Sequence, residues 1–221
     1  MNQVQLIKQF GWVKRIGRFD MAISKKMLPY YSNKPIAKTM SIVSLSCAGA
    51  VSFPLYFLFL FLTVEGGLGE QGFKIFYHIM VAEFIQLTII ASLKYLFKRV
   101  RPIPIPDLIS ILHDKNECNL CSISFLKSYC FKLYQLLGYW NQYSFPSLHA
   151  SRSFMLSIII YNGFHIYNRG SLSSIYIFFP IFAALTISFS RLVLQKHFLS
   201  DVVIGAFIGM VSAFVTINFV S

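Results

Sequence analysis

Residues 190–201, "SRLVLQKHFLSD", form a short polar segment between two apolar ones. Residues 172–190 on one side and 202–220 on the other contain no charged side chain. Each is about as long as the 20 helical residues that cross the hydrocarbon core of a bilayer. The segment therefore predicts a turn at a membrane surface, where one spanning helix returns and the next departs.

The same pattern recurs toward the N-terminus. Residues 39–64 contain no charge, residues 75–93 contain only Glu83, and residues 153–168 contain none. Charged residues make up 13% of the chain, about half the share found in soluble domains. We therefore expect an all-α fold, a polytopic membrane helix bundle with about five spans.

The N-terminal segment has a different pattern. Over residues 3–30, apolar side chains recur at roughly helical spacing with lysines and arginines between them, which predicts an amphipathic helix on the membrane surface. A solvated basic tail is the alternative. We expect no cleavable signal peptide, and we divide the chain into an interfacial segment, 1–36, and a membrane domain, 37–221. The apolar positions are Ile7, Phe10, Val13, Ile16 and Met21.

The formal net charge of +12 predicts an anionic partner. Because the basic residues flank apolar spans, we expect lipid headgroups of the bilayer rather than nucleic acid. Tracing the spans puts 18 of the 20 lysines and arginines on the face that holds the N-terminus, leaving Lys74 and Arg169 opposite. We expect an integral protein of the cell (inner) membrane, and the positive-inside rule favours this face in the cytoplasm, unless the basic residues serve an anionic substrate.

Three of the four cysteines share one loop. Cys118, Cys121 and Cys130 could bind zinc with His113, form a disulfide on an oxidising face, or remain thiols, and the sequence leaves these alternatives open. Cys47 lies in the first apolar window and is expected to be a small apolar core residue.

Three polar clusters come to the same membrane face when the spans are traced. They are residues 94–102, 146–152 and 190–201. In the first, Lys94 and Arg101 lie seven residues apart and share a helix face. Cations at a helix end can also simply extend toward the interface. Convergence of the three clusters therefore indicates a common site more strongly than any one of them does.

The second and third clusters contain groups suited to phosphate chemistry. Pro146 and Ser147 predict a helix start with Ser147 as its cap, and a helix N-terminus binds anions. His149 in that turn can donate a proton to a leaving group. His197 and Asp201 lie four residues apart, so on a helix the carboxylate can fix the imidazole tautomer and leave the other nitrogen as a nucleophile. A structural His–Asp pair is the alternative.

Together the motifs K-x-x-x-x-x-x-R-P, P-S-x-H and S-R-x-x-x-x-x-H-x-x-x-D resemble those of the type 2 phosphatidic acid phosphatase/haloperoxidase superfamily, in its membrane lipid-phosphatase form. The resemblance extends from about residue 37 to residue 217. Two features depart from the family: Leu148 stands where a glycine is usual, and members often have six spans.

The resemblance implies catalytic roles for three residues and phosphate binding for five. His197 would attack phosphorus to form a phosphohistidine, with Asp201 orienting it, and His149 would protonate the departing oxygen. It also implies that no metal and no cofactor are needed. The phosphate oxygens would be held by Lys94, Arg101, Ser147, Leu148 through its backbone, and Arg191.

The expected function is hydrolysis of a phosphomonoester or diphosphate of a membrane lipid. A lipid phosphotransferase that uses the same intermediate and a non-catalytic lipid-binding protein are the alternatives. We expect the loop at residues 102–145, which is rich in aromatic residues and lysines, to shape headgroup choice. The motifs do not choose among lipid phosphates, and they leave the oligomeric state open.

Overall fold

The computed structural model describes residues 11–65, 69–102, 143–167 and 175–219. The three loop cysteines and most of the loop at 102–145 lie outside these ranges. Within them, the regular structure is helical apart from one isolated antiparallel bridge between Val100 and Tyr143. The helices are α1 (Gly11–Ser32), α2 (Lys34–Leu45), α3 (Gly49–Glu65), α4 (Gly69–Phe97), α5 (Leu148–Tyr167), α6 (Ile175–Val193) and α7 (Leu199–Phe219).

The expected all-α class is confirmed. Four of the five apolar windows, at residues 75–93, 153–168, 172–190 and 202–220, overlap with α4, α5, α6 and α7. By length and composition, α4 and α7 can each cross a membrane, and shorter apolar helical stretches cover Val51–Leu62 and Phe178–Val193. The number of spans stays a prediction.

The first apolar window, residues 39–64, is divided between two helices rather than forming one. α2 ends at Leu45 and α3 begins at Gly49. The break frees backbone carbonyls, which are costly to leave unpaired in apolar surroundings. Arg152 of α5 donates a hydrogen bond to the Cys47 carbonyl at 2.9 Å and so compensates for one of them. A hydropathy window could not reveal this, because it measures apolar composition and not helix continuity.

A buried polar network joins α4 to α5. Arg152 pairs with Glu83, its Nε lying 2.8 Å from Oε1, and both side chains are almost fully buried. One helical turn from Glu83, Gln86 accepts a hydrogen bond of 2.5 Å from the Ser151 hydroxyl. Breaking a buried ion pair typically costs about 3–5 kcal/mol. This network explains why an arginine lies so close to His149: it fastens two helices together.

α1 is observed as a helix over Gly11–Ser32, and it contacts α2, α6 and α7. Ile16, Phe19 and Met21 are exposed on it, whereas Asp20 is only 1% exposed. Its position at a membrane surface stays a prediction, and residues 1–10 lie outside the described ranges.

The closest helix packing joins α5 to α7. A Cβ built on Gly205 would lie closer than 3.0 Å to the Ser147 carbonyl, and one built on Gly209 would do the same at the Ser151 carbonyl. These neighbours are backbone atoms, which cannot rotate away as a side chain can. The G-x-x-x-G spacing therefore serves close packing inside one bundle.

We predict that Gly209→Ala destabilises the protein by about 1–3 kcal/mol, the usual cost of overpacking a core. The measurement is the apparent unfolding temperature in detergent. Gly17→Ala is the matched control, because nothing lies within 4 Å of a Cβ added there. An unfolding temperature of Gly209→Ala that equals or exceeds that of the control would contradict the packing argument.

Candidate active site

The three polar clusters converge on His197. Its imidazole is buried, and burial lowers its pKa well below the usual 6.5. The positive charges of Arg191, Arg101 and Lys94 lower that pKa further, and His149 adds a smaller effect. Side chains from α4, the segment after it, α5 and α6 are therefore close enough to act on one ring. At neutral pH this imidazole is uncharged, which is the state that a nucleophile requires.

The turn that carries His197 begins at the C-terminus of α6. Gln195 has a positive φ of 54°, and the Lys196 N–H donates to the Arg191 carbonyl at 3.1 Å. This is the Schellman arrangement, with glutamine in the left-handed position that usually holds glycine. The Gln195 side chain is held by α1: its Nε2 donates to the Ser24 carbonyl at 3.0 Å, and its Oε1 accepts from the Ser24 hydroxyl at 2.5 Å. The strained turn is thus tied to the N-terminal helix.

The tautomer of His197 is set by a backbone carbonyl. Nδ1 lies 2.6 Å from the Ser144 carbonyl oxygen, whereas the nearest oxygen of Asp201, the predicted partner, is 3.9 Å away. A carbonyl can only accept, so Nδ1 carries the hydrogen and Nε2 keeps its lone pair. The structure thus assigns to Ser144 the hydrogen bond that the sequence assigned to Asp201.

Asp201 is placed behind His197 instead. His197 precedes α7, which begins at Leu199, so the two residues do not stack on one helix as predicted. One carboxylate oxygen of Asp201 accepts from the Phe198 N–H at 2.9 Å, and the other accepts from Arg99 at 2.7 Å. This carboxylate therefore caps α7 and fixes the residue after His197, while its charge lies near the ring.

The three predicted cations are all almost fully buried. Lys94 donates to the Tyr143 carbonyl at 2.7 Å, and Arg191 donates through NH1 to the Ser44 hydroxyl of α2. The Nε atoms of Arg101 and Arg191 have no hydrogen-bond partner within the described ranges. Burial lowers the pKa of Arg101 to about 10, although the charge of Asp201 raises it, so Arg101 remains a cation at neutral pH.

The N-terminus of α5 adds further donors. α5 begins at Leu148, and its first-turn N–H groups have no partner within a helix. The Ser147 N–H donates to the Asp201 carbonyl at 3.0 Å, which fastens this helix start to α7. The sequence predicted Ser147 as a side-chain cap. Its hydroxyl, fully buried, instead has no partner among the residues that the structure describes.

Several residues near the site escaped the sequence reasoning. Ser144 acts through its carbonyl, which leaves no signal in a sequence. Arg99 and Asp20 meet across a long chain separation, and each looked like one more charge in a basic segment. Lys196 is close enough to Arg191 and Arg101 that their charges, after burial, lower its pKa. It is a fourth cation beside the predicted three.

The PAP2 superfamily model matches residues 72–221, which include every predicted site residue. The chain belongs to the PAP2 superfamily. The match leaves α1, α2 and α3 outside. A search of curated proteins found no significant match.

Two solved structures share the fold. One is a transmembrane PAP2-type phosphatidylglycerolphosphate phosphatase from Bacillus subtilis, with 18% identity, a TM-score of 0.66 and coverage of 97% of this chain and 89% of the other. The second is Aquifex aeolicus LpxE, with 17% identity, a TM-score of 0.60 and coverage of 96% and 99%. Both likenesses extend over α1 to α3 as well, so the membrane-phosphatase fold describes nearly the whole chain.

Proposed function

We propose that this protein is an integral membrane phosphatase that hydrolyses a phosphomonoester or diphosphate of a membrane lipid. The observation that carries the proposal is a buried, uncharged imidazole surrounded by buried cations. Of these, Arg101 and Arg191 have Nε donors without a partner among the described residues. A phosphate group supplies several acceptor oxygens and the negative charge that such donors favour. Membership of the PAP2 superfamily supports the same chemistry.

The first step is phosphoryl transfer to the protein. Nε2 of His197 attacks phosphorus, and the bond from phosphorus to the lipid oxygen breaks. His149 gives a proton to that departing oxygen. Lys94, Arg101 and Arg191 hold the remaining phosphate oxygens, and the Ser147 hydroxyl and the Leu148 N–H complete the set. Asp201 stabilises the positive charge that forms on His197.

The second step regenerates the enzyme. Water attacks phosphorus, His149 takes a proton from it, and the bond between phosphorus and Nε2 breaks to release inorganic phosphate. His149 gives one proton in the first step and takes one back in the second, so it ends the cycle in its starting state. In this scheme fixed cations do the charge stabilisation that Mg²⁺ performs in other phosphoryl transfer enzymes. We therefore propose metal-independent hydrolysis without a cofactor.

We propose that the hydrocarbon chain of the substrate binds in an apolar cavity between α5 and α6. Its volume is about 550 Å³, within the range of small-molecule sites. Ser153, Leu156 and Ile160 of α5 line it at four, seven and eleven residues beyond His149. Residues at these spacings share a helix face. The α5 wall thus leads toward His149.

The α6 wall of the same cavity has the matching pattern. Ile187, Ala184 and Pro180 lie four, seven and eleven residues before Arg191. A hydrocarbon chain lying between the two walls would place its phosphate at His149 and Arg191. Because the lining is almost entirely apolar, it favours an acyl or prenyl chain over a polar substituent.

Two alternative functions remain to be distinguished from hydrolysis: one differs from it only in the second step, and the other involves neither step. A lipid phosphotransferase would pass the phosphoryl group to a lipid hydroxyl, and release of inorganic phosphate distinguishes hydrolysis from it. A non-catalytic lipid-binding protein would not need the arrangement of His197 and Ser144.

We further propose a cell-membrane location with the site on the cytoplasmic face, as the basic residues favour. Headgroup choice by the loop at 102–145 stays a prediction, since nearly all of that loop lies outside the described residues.

We predict that the purified protein releases inorganic phosphate from a lipid phosphate in detergent with excess EDTA, and that vanadate inhibits it. His197→Ala should lower kcat by more than about a thousandfold, because the nucleophile is removed. The measurement is phosphate release from a panel of lipid phosphates and diphosphates. His197→Ala must elute like wild type in size-exclusion chromatography. An absolute Mg²⁺ requirement, or full activity of His197→Ala, would contradict the mechanism.

We predict that Ala183→Phe, which narrows the apolar cavity, lowers kcat/KM for a long-chain lipid phosphate by about tenfold, as expected for steric change in an apolar pocket. Hydrolysis of a short-chain, water-soluble phosphate should stay within about twofold of wild type. Leu185→Phe is the matched control on the exposed side of α6. Equal losses on the long and short substrates would contradict the assignment of this cavity to the lipid chain.

A further inference from the structure

Asp20 is a buried carboxylate on a helix that the superfamily model does not cover. It lies in α1 and is 1% exposed. One of its oxygens accepts from the Ser200 N–H at 3.0 Å. The other accepts from Arg99 at 2.6 Å and from the Ser200 hydroxyl at 2.5 Å. The N-terminal helix thus contacts the first turn of α7, one residue away from Asp201.

Arg99 lies between two buried carboxylates. While its NH2 pairs with Asp20, its NH1 donates to Asp201 at 2.7 Å and to the Ser200 hydroxyl at 2.6 Å. The guanidinium also lies over the ring of Phe198, 4.2 Å from the ring centre. Arg99 therefore contacts the residue that follows His197 and the carboxylate behind it.

The backbone of Arg99 also acts on His197, through Ser144. The Arg99 carbonyl accepts from the Ser144 N–H at 2.7 Å. The Ser144 carbonyl in turn accepts from Nδ1 of His197 at 2.6 Å. One residue thus holds both supports of the imidazole: the carbonyl that sets its tautomer and the carboxylate that stabilises its charge.

We propose that Asp20 and Arg99 are positioning residues of the active site, so that α1 is part of the catalytic apparatus and not only a membrane anchor. Asp20 fixes the guanidinium of Arg99, and Arg99 fixes Asp201, Phe198 and Ser144 around His197. The inference rests on the proposed phosphatase function. Neither residue contacts the phosphate in this scheme, and both act through the orientation of His197.

The charges explain why Asp20 is needed. Arg99 shares its two terminal nitrogens between Asp20 and Asp201, which fixes the guanidinium plane in a way that a single partner would not. Asp20→Asn keeps an oxygen for the Ser200 N–H but removes the charge that holds NH2 of Arg99. The guanidinium can then rotate about its bond to Asp201. A misplacement of about 1 Å at a reacting group can cost about a hundredfold in rate.

The decisive experiment compares full-length variants in detergent by kcat, KM and unfolding temperature for phosphate release from a lipid phosphate. Asp20→Asn should lower kcat by about tenfold or more, with KM within about twofold of wild type. Arg99→Lys should do the same, because an ammonium keeps the charge but not the planar fork. If Asp20→Asn does not fold, Arg99→Lys decides.

Two controls separate positioning from mere stability. Asn33→Ala removes the cap of α2, whose Oδ1 lies 3.4 Å from the Ile36 N–H, and should lower stability without changing kcat. In an Asp201→Asn background, adding Asp20→Asn should lower kcat by a clearly smaller factor than it does in wild type, because part of its effect passes through Asp201.

The inference is overturned if the folded variant that decides, Asp20→Asn or else Arg99→Lys, keeps wild-type kcat. Full additivity of Asp20→Asn with Asp201→Asn would overturn it too. It is also overturned if Asn33→Ala lowers kcat together with stability, because lowered stability alone would then explain a loss of kcat. If wild type itself releases no phosphate from any lipid phosphate, the proposed function fails first, and with it this inference. If wild type is active and His197→Ala is not, the proposed function stands even when one of the other outcomes overturns this inference.

Discussion

The close contact of α5 with α7 is the constraint on which the rest of the site depends. Gly205 and Gly209 let the α7 backbone approach the carbonyls of Ser147 and Ser151, where any side chain would collide. At the end of this contact where α5 begins, the Ser147 N–H donates a hydrogen bond to the Asp201 carbonyl. The N-terminus of α5, with its first-turn N–H groups and His149, is thereby held beside the segment that carries His197.

The arginines around the site fall into two groups that differ in their partners. Arg152 pairs with Glu83, and Arg99 pairs with Asp20 and Asp201, so these arginines join helices. Arg101 and Arg191 keep Nε donors without partners in the described part of the chain. Burying such charges is costly unless an anion compensates them. The carboxylates of this fold therefore distinguish structural arginines from those that suit a phosphate.

The sequence predicted the helices and the motif residues because both depend on local patterns. Windows with at most one charged residue marked α4 to α7, and three spaced motifs marked the residues around His197. The break between α2 and α3 escaped prediction, since it depends on Arg152 reaching the Cys47 carbonyl from a distant helix. The hydrogen bond from His197 went to Ser144 rather than Asp201 because a backbone carbonyl leaves no mark in the residue types. The link from Asp20 to Arg99 spans 79 positions and could be found only in three dimensions.

In the proposed mechanism, Nε2 of His197 accepts the phosphoryl group. The most direct test is rapid quenching of the enzyme with a radiolabelled lipid phosphate, followed by mapping of the labelled residue. The mechanism predicts an acid-labile, alkali-stable label on His197, attached to Nε2 because Nδ1 is engaged with the Ser144 carbonyl at 2.6 Å. A label on any other residue, or on Nδ1 of His197, would contradict it.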